Sequence, residues 1–361
     1  MAWCSERRRQ QATGGGQSVV SGEIVNWQPG RRAAKRGPWV ALATLALVIA
    51  VPHGAARAMF GPYPFPPVDT AGAVGESGVR AAPSKSSGTP HGGMVIRAGT
   101  TAALAEIFDQ YGYRLDRVMT AGTVPRLFVA EVPADMAALD KPAARKALFI
   151  RIALPLVLAA NEAILRDRAR IERLRAKLVG NGTLAIAEQR WMGEIFAAYG
   201  APMFDFAELL RRVDIVPPSL AIAQGAEESG WGTSRFAREG NALFGQRIFR
   251  GTGGLVPRER AAGERYCVRR FARLFDAVRA YAANLNSHPA YVQFRSLRAG
   301  LRGRGRRPEG LALVDALRFY SERRAAYVAT LRQIIRIDRL TTFDRARLGG
   351  SIPRVALGLG F

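Results

Sequence analysis

The sequence predicts a mostly helical α+β protein in which a helical region precedes a second lobe carrying a β-hairpin insertion. Three observations predict it. Apolar residues recur at helical spacing from Thr101 to Ile215. That pattern breaks from Arg247 to Phe271, where Gly251-Thr-Gly-Gly254 precedes the strand-like run Glu264-Arg-Tyr-Cys-Val-Arg-Arg-Phe271, which reads as a hairpin. Helical spacing resumes over 274–286, 311–320 and 325–337.

The elements follow in chain order. Arg31-Arg-Ala-Ala-Lys-Arg36 precedes an apolar run from Trp39 to Val51 and the small residues ending Ala56-Arg-Ala58. A basic segment, a short apolar core and an A-x-A-like site mark residues 1–58 as a signal peptide, with an uncleaved N-terminal anchor as the alternative. Residues 59–100 are rich in Pro, Gly, Ser and Ala and read as a linker. Residues 101–212 form the helical region. Within it, 143–178 is one long periodic stretch containing Pro155. Its apolar part, 147–158, is interrupted by Arg151 and Pro155 and closed by Asn161-Glu162, so a buried helix is expected rather than a membrane span. Arg166 to Arg175 reads as a solvated face laced with i,i+4 charge pairs. Two more helices are expected over 183–199 and 205–212. The second lobe spans 213–345. There Pro217-Pro218-Ser219 starts a helix and Ser229-Gly230 stops it. Arg302-Gly-Arg-Gly-Arg-Arg307 reads as a solvated basic loop, and 346–361 as a tail.

Composition excludes several functions. The 361 residues carry 53 Lys and Arg against 29 Asp and Glu, a net charge of +24. Such a chain seeks polyanions, but the arginines are dispersed and no nucleic-acid-binding signature is present, so no specific nucleic acid is expected as a partner. The cysteines are Cys4 and Cys267, and the histidines His53, His91 and His288. With the leader removed, neither a disulfide framework nor a zinc site rich in His and Cys can be built. No metal and no cofactor is expected. A Cys267–His288 nucleophile pair is disfavoured because Cys267 lies in a strand-like run, not at a helix start that would lower its pKa.

The most informative stretch is Ala221-Ile-Ala-Gln-Gly-Ala-Glu-Glu-Ser-Gly-Trp-Gly-Thr-Ser-Arg235. Two adjacent glutamates end a helix, immediately before Trp231. The negative end of the helix dipole and an aromatic neighbour both disfavour a charged carboxyl, which raises its pKa toward the range of a general acid.

The block Glu228-Ser-Gly-Trp-Gly-Thr-Ser-Arg-Phe-Ala237, with Gly240-Asn-Ala-Leu-Phe-Gly-Gln246, resembles the signature of bacterial glucosaminidases, glycoside hydrolase family 73, and within it the Bax-like proteins. The resemblance continues through 271–291 and 318–322 and covers about a third of the chain; a weaker one covers residues 101 to 215. It implies a lysozyme-like catalytic lobe acting on the β-1,4-linked glycan of peptidoglycan, and makes Glu228, not Glu227, the catalytic acid. A second group must activate water or stabilise the oxocarbenium ion. Glu264 is the best-placed carboxylate and Glu259 the next, unless the substrate's own 2-acetamido group serves instead. Tyr320 falls where the resemblance places an active-site tyrosine, with Tyr327 as the alternative. Trp231, Phe244 and Tyr266 are candidates for stacking on sugars, and Asn241 for an N-acetyl group; core packing for Phe244 and turn capping for Asn241 are the plainer readings. The expected function is hydrolysis of peptidoglycan outside the cytoplasm, with the glycan strands as partner. The N-terminal apolar segment offers a route to inner-membrane association. The alternatives are a cell-wall-binding or scaffold protein of weak activity, and an amidase on the same polymer.

Overall fold

The computed structural model describes residue 90 and residues 92–350, apart from 250–253, 259, 261, 262 and 264. The expected leader, and the linker up to residue 91 with residue 90 excepted, lie outside the described residues, as do Glu259 and Glu264.

Order begins inside the segment expected as linker. β1 (Met94–Ile96) is followed by α1 (Thr101–Gln110), α2 (Leu115–Ala121), β2 (Thr123–Val124) and β3 (Leu127–Val129). Thr100 caps α1 by accepting a hydrogen bond from the Ala103 N–H. β1 and β3 pair in parallel with Val95 opposite Phe128. A 3₁₀ turn at Ala134–Ala138 leads into α3 (Pro142–Val179), whose first turn begins with proline. The helix runs unbroken through Pro155. Leu148 to Asn161 is buried apart from Arg151, and the charged half beyond it is largely exposed. α3 is long and apolar enough to cross a membrane, but most of that apolar stretch is buried inside the molecule.

α4 (Ile186–Tyr199), α5 (Phe206–Arg212), α6 (Pro218–Ser229) and α7 (Arg235–Gly240) follow. The expected hairpin is a three-stranded antiparallel sheet of β4 (Arg247–Ile248), β5 (Gly254–Leu255) and β6 (Cys267–Arg269), with β6 in the middle. Next come α8 (Leu274–Ser287), a 3₁₀ turn at Pro289–Tyr291 and α9 (Val292–Gly303). The segment expected as one helix over 311–320 is broken. α10 (Gly310–Leu313) passes into a 3₁₀ turn at Val314–Leu317. Leu313, Val314, Ala316 and Leu317 are buried while Ala312, Asp315 and Arg318 are exposed, so the exposed positions recur every third residue, the spacing of a 3₁₀ turn and not of an α-helix. α11 (Ala325–Ile337), a 3₁₀ turn at Leu340–Arg345 and β7 (Arg347–Leu348) complete the described chain, with β7 parallel to β2. The expected tail thus begins as a strand.

α6 lies at the centre, packed against α3, α10, α11 and the last 3₁₀ turn. The apolar core runs without a break from Ile96 to Leu348 and draws on both the helical region and the second lobe.

Candidate active site

α6 is almost wholly buried, so its polar backbone ends must find partners inside the protein. At its start, the Ser219 N–H and hydroxyl donate to the two oxygens of Asp344 at 2.8 and 2.7 Å, and the Gly310 N–H adds a third bond at 3.0 Å. Burial nonetheless pushes the Asp344 pKa up to about 6. Asn161 of α3 donates to the Val216 carbonyl at 2.8 Å and accepts from its N–H at 3.1 Å. Below this lies a buried charged cluster. Arg298, fully buried, donates to the carbonyls of Arg211, Asp214 and Ile215 and to Asn286 Oδ1 at 2.7–3.1 Å. Burial alone would raise the Asp214 pKa, but Arg302, at 2.5 Å to both carboxyl oxygens, and Arg298 hold it below the usual carboxylate range. At its end, Gly230 adopts φ +57° and Trp231 φ +59°, and the Trp231 N–H closes the helix on the Ala226 carbonyl at 2.9 Å. Ser229 accepts from the Gly232 N–H and donates to the Gly225 carbonyl. Both ends of α6 are therefore fixed, and so is the direction in which its last turn points.

Glu228 stands on that last turn, partly exposed. Burial pushes its pKa up to about 7. A hydrogen bond from Tyr327 opposes this, the neighbouring Glu227 charge reinforces it, and Arg323 and Arg247 pull it back. The carboxyl ends a chain of hydrogen bonds between buried groups. Tyr281 donates to Gln224 Oε1 at 2.6 Å, Gln224 Nε2 donates to the Tyr327 oxygen at 3.0 Å, and the Tyr327 hydroxyl donates to Glu228. Burial holds the Tyr281 and Tyr327 hydroxyls protonated, so both remain donors. Stacked rings fix the chain sideways: Tyr327 on Tyr320 at 5.6 Å, and Tyr281 on Phe244 at 3.9 Å. Gly245 closes one side. It has φ +61°, and a Cβ there would lie 3.5 Å from Glu228 Oε2. Glu227 pairs with Arg323. The arrangement suits a carboxyl that holds a proton near neutral pH, and a hydroxyl that stabilises the anion once the proton has left.

The structure separates the residues singled out from sequence. It brings Glu228 together with Tyr327, the alternative tyrosine. Tyr320 is buried in the stack behind Tyr327, and its hydroxyl is directed to the Phe244 carbonyl at 3.4 Å. Phe244 is 3% exposed with one ring face on Tyr281, so it packs the core and does not present a surface for a sugar. Asn241 is also buried. It ends α7 in a left-handed conformation and donates from Nδ2 to the Phe271 carbonyl at 3.1 Å, the turn-capping arrangement. Trp231 is half-buried, edge-on to Phe149 at 5.7 Å with the Lys146 ammonium 4.8 Å above it. Tyr266, half-buried, lies beneath the Arg247 guanidinium at 4.2 Å. His288 uses its imidazole to accept from the Ala290 N–H, and Cys267 is half-buried in β6. Gln224 and Tyr281 were missed from sequence, although Gln224 stands one helical turn before Glu228 on the same face.

A family model covers the same segment. Residues 204–337 match the family model described as mannosyl-glycoprotein endo-beta-N-acetylglucosaminidase. The chain is similar to "Protein bax" of Escherichia coli (strain K12), with 32% identity over 189 residues. That alignment takes in 51% of this chain and 66% of the relative, less than two thirds of the relative's length. No solved structure matches the chain.

Proposed function

We propose that the chain, which matches the glucosaminidase family model through residues 204–337, hydrolyses the β-1,4-glycosidic bonds at N-acetylglucosamine in peptidoglycan, with Glu228 as general acid. The observation that carries this reading is the Glu228 carboxyl, held by burial at a pKa of about 7 and in contact with the Tyr327 hydroxyl. A carboxyl of that pKa is half protonated at neutral pH and can give its proton to the leaving glycosidic oxygen. As the proton leaves, the Tyr327 hydrogen bond strengthens onto the new carboxylate. Gln224 and Tyr281 hold Tyr327 in place through the bonds described above. Glu227 is engaged by Arg323 and is not assigned a chemical role.

For the second half of the reaction we favour the substrate's acetamido oxygen as nucleophile at the anomeric carbon, which makes a second carboxylate dispensable. Glu264 is the protein group that would otherwise serve. The proposed setting is the cell wall outside the cytoplasm, reached through the N-terminal segment, whether cleaved or retained as an anchor.

The test is a pair of neighbouring substitutions. Glu228→Gln keeps the shape but removes the transferable proton, and hydrolysis of purified peptidoglycan is expected to fall at least about a hundredfold. Glu227→Gln is expected to be mild. An essential Glu227 beside a dispensable Glu228 would overturn the assignment.

A further inference from the structure

At the end of α6 remote from Glu228, a cavity of about 480 Å³ lies between α3, the loop after α9 and the last 3₁₀ turn and strand. Pro218, the first residue of α6, lines it. Glu228 is almost the whole helix away, about 15 Å at 1.5 Å per residue, so this hollow is distinct from the candidate active site. Arg302, Arg306, Arg307, Arg345 and Arg347 all line it. A second cavity of about 540 Å³ shares Arg306, Arg307 and Arg345.

The carboxylates on its wall are already engaged. Glu162 receives two bonds from Arg126 at 2.9 and 3.1 Å, and Asp344 is held by Ser219 and Gly310. Arg302 is bound to Asp214, and Arg307 donates to the Asp344 carbonyl at 3.1 Å. Glu309 lines the second cavity beside three arginines. Arg306, Arg345 and Arg347 are exposed and form no ion pair among the described residues. Like charges around a concavity focus a positive potential inside it. Each guanidinium presents a planar fork of donors that fits a pair of phosphate oxygens. A carboxylate offers two oxygens and satisfies one fork, whereas a phosphate offers more and can meet several forks at once.

We propose that this cavity is a binding site for a phosphate-bearing ligand, its phosphate held by Arg306, Arg345 and Arg347. Such a group can come from a soluble phosphate compound or from a lipid headgroup, and two measurements on the full chain separate them. Titration calorimetry with inorganic pyrophosphate tests the first. Co-sedimentation with vesicles of phosphatidylglycerol, against phosphatidylcholine, tests the second. Saturable pyrophosphate binding that weakens as salt rises is expected. The triple variant R306Q/R345Q/R347Q should bind at least about a hundredfold more weakly, since a hydrogen bond to a charged group contributes on the order of tenfold. The charge-matched variant R166Q/R173Q/R175Q, on the exposed half of α3, should bind as the parent does. Should the first triple variant melt early, R347Q alone, expected to weaken binding about tenfold, takes its place. Selective binding to phosphatidylglycerol that pyrophosphate displaces assigns the phosphate to a headgroup; pyrophosphate binding without it assigns a soluble compound. No saturable pyrophosphate binding, or equal weakening in both triple variants, would overturn the proposal.

Discussion

At the scale of single residues, the proposed chemistry rests on how differently two adjacent glutamates are treated. Glu227 pairs with an arginine at the surface, while Glu228 turns inward against a tyrosine hydroxyl. As the proposed general acid Glu228 acts in its protonated form, so activity is expected to decline as pH rises through about 7. The Tyr327 hydrogen bond favours the charged carboxylate and lowers that pKa. Tyr327→Phe keeps the ring stack but removes the bond, so the alkaline limb of the kcat profile should move to higher pH while kcat itself falls. Tyr320→Phe should leave the limb in place, because its hydroxyl is directed at a backbone carbonyl. A pH–rate profile of both variants checks this, and a limb that moves in Tyr320→Phe but not in Tyr327→Phe contradicts the pairing seen here. The glutamate pair was legible from sequence because its context is local: a helix end, a glycine stop and an aromatic residue in consecutive positions; the choice of Glu228 within the pair came from the resemblance. Tyr327 was legible only as the alternative to Tyr320, since it meets Gln224 across 103 residues of chain and only the fold shows which tyrosine contacts Glu228.

At the scale of elements, α6 is positioned by close approach and by polar contacts to its first turn. A Cβ on Gly310 would lie 2.1 Å from Ser219 Oγ and 3.0 Å from the Leu220 nitrogen. Gly310→Ala must therefore push α10 away from α6 and disturb the Ser219–Asp344 bonds, at a cost of about 1–3 kcal/mol. Urea denaturation measures this, and an unchanged midpoint would mean that the contact yields without strain. The same buried polar design explains where the sequence misled. α9 went unrecognised because its buried face is Phe294, Arg295, Arg298 and Leu301, so two of its inward positions read as surface charge. Arg302, expected in a solvated loop, belongs to that helix and is bound to Asp214. α6 and α11, by contrast, carry ordinary boundary signals or apolar periodicity, and the structure ends them where those signals stand. The third strand of the small sheet escaped notice because β4 and β5 contribute two residues each, too few to show alternation.

At the scale of the whole molecule, the helical region is part of the core of the second lobe. α3 packs on α6 and α8, and Asn161 grips Val216 ahead of the α6 first turn. A chain cut to residues 213–345 would expose the apolar faces that Leu148, Phe149 and Leu156 now cover, and it is expected not to fold. Circular dichroism and thermal melting test this; a cooperative transition in the truncated chain would show that the lobe is self-sufficient. The most direct test of the chemistry is mass spectrometry of the products released from purified peptidoglycan. The parent chain should release fragments with N-acetylglucosamine at the new reducing end, and Glu228→Gln should release almost none. Fragments cut only in the peptide, or glycan release that survives Glu228→Gln, would contradict the assignment of Glu228 as the acid of a glycosidase.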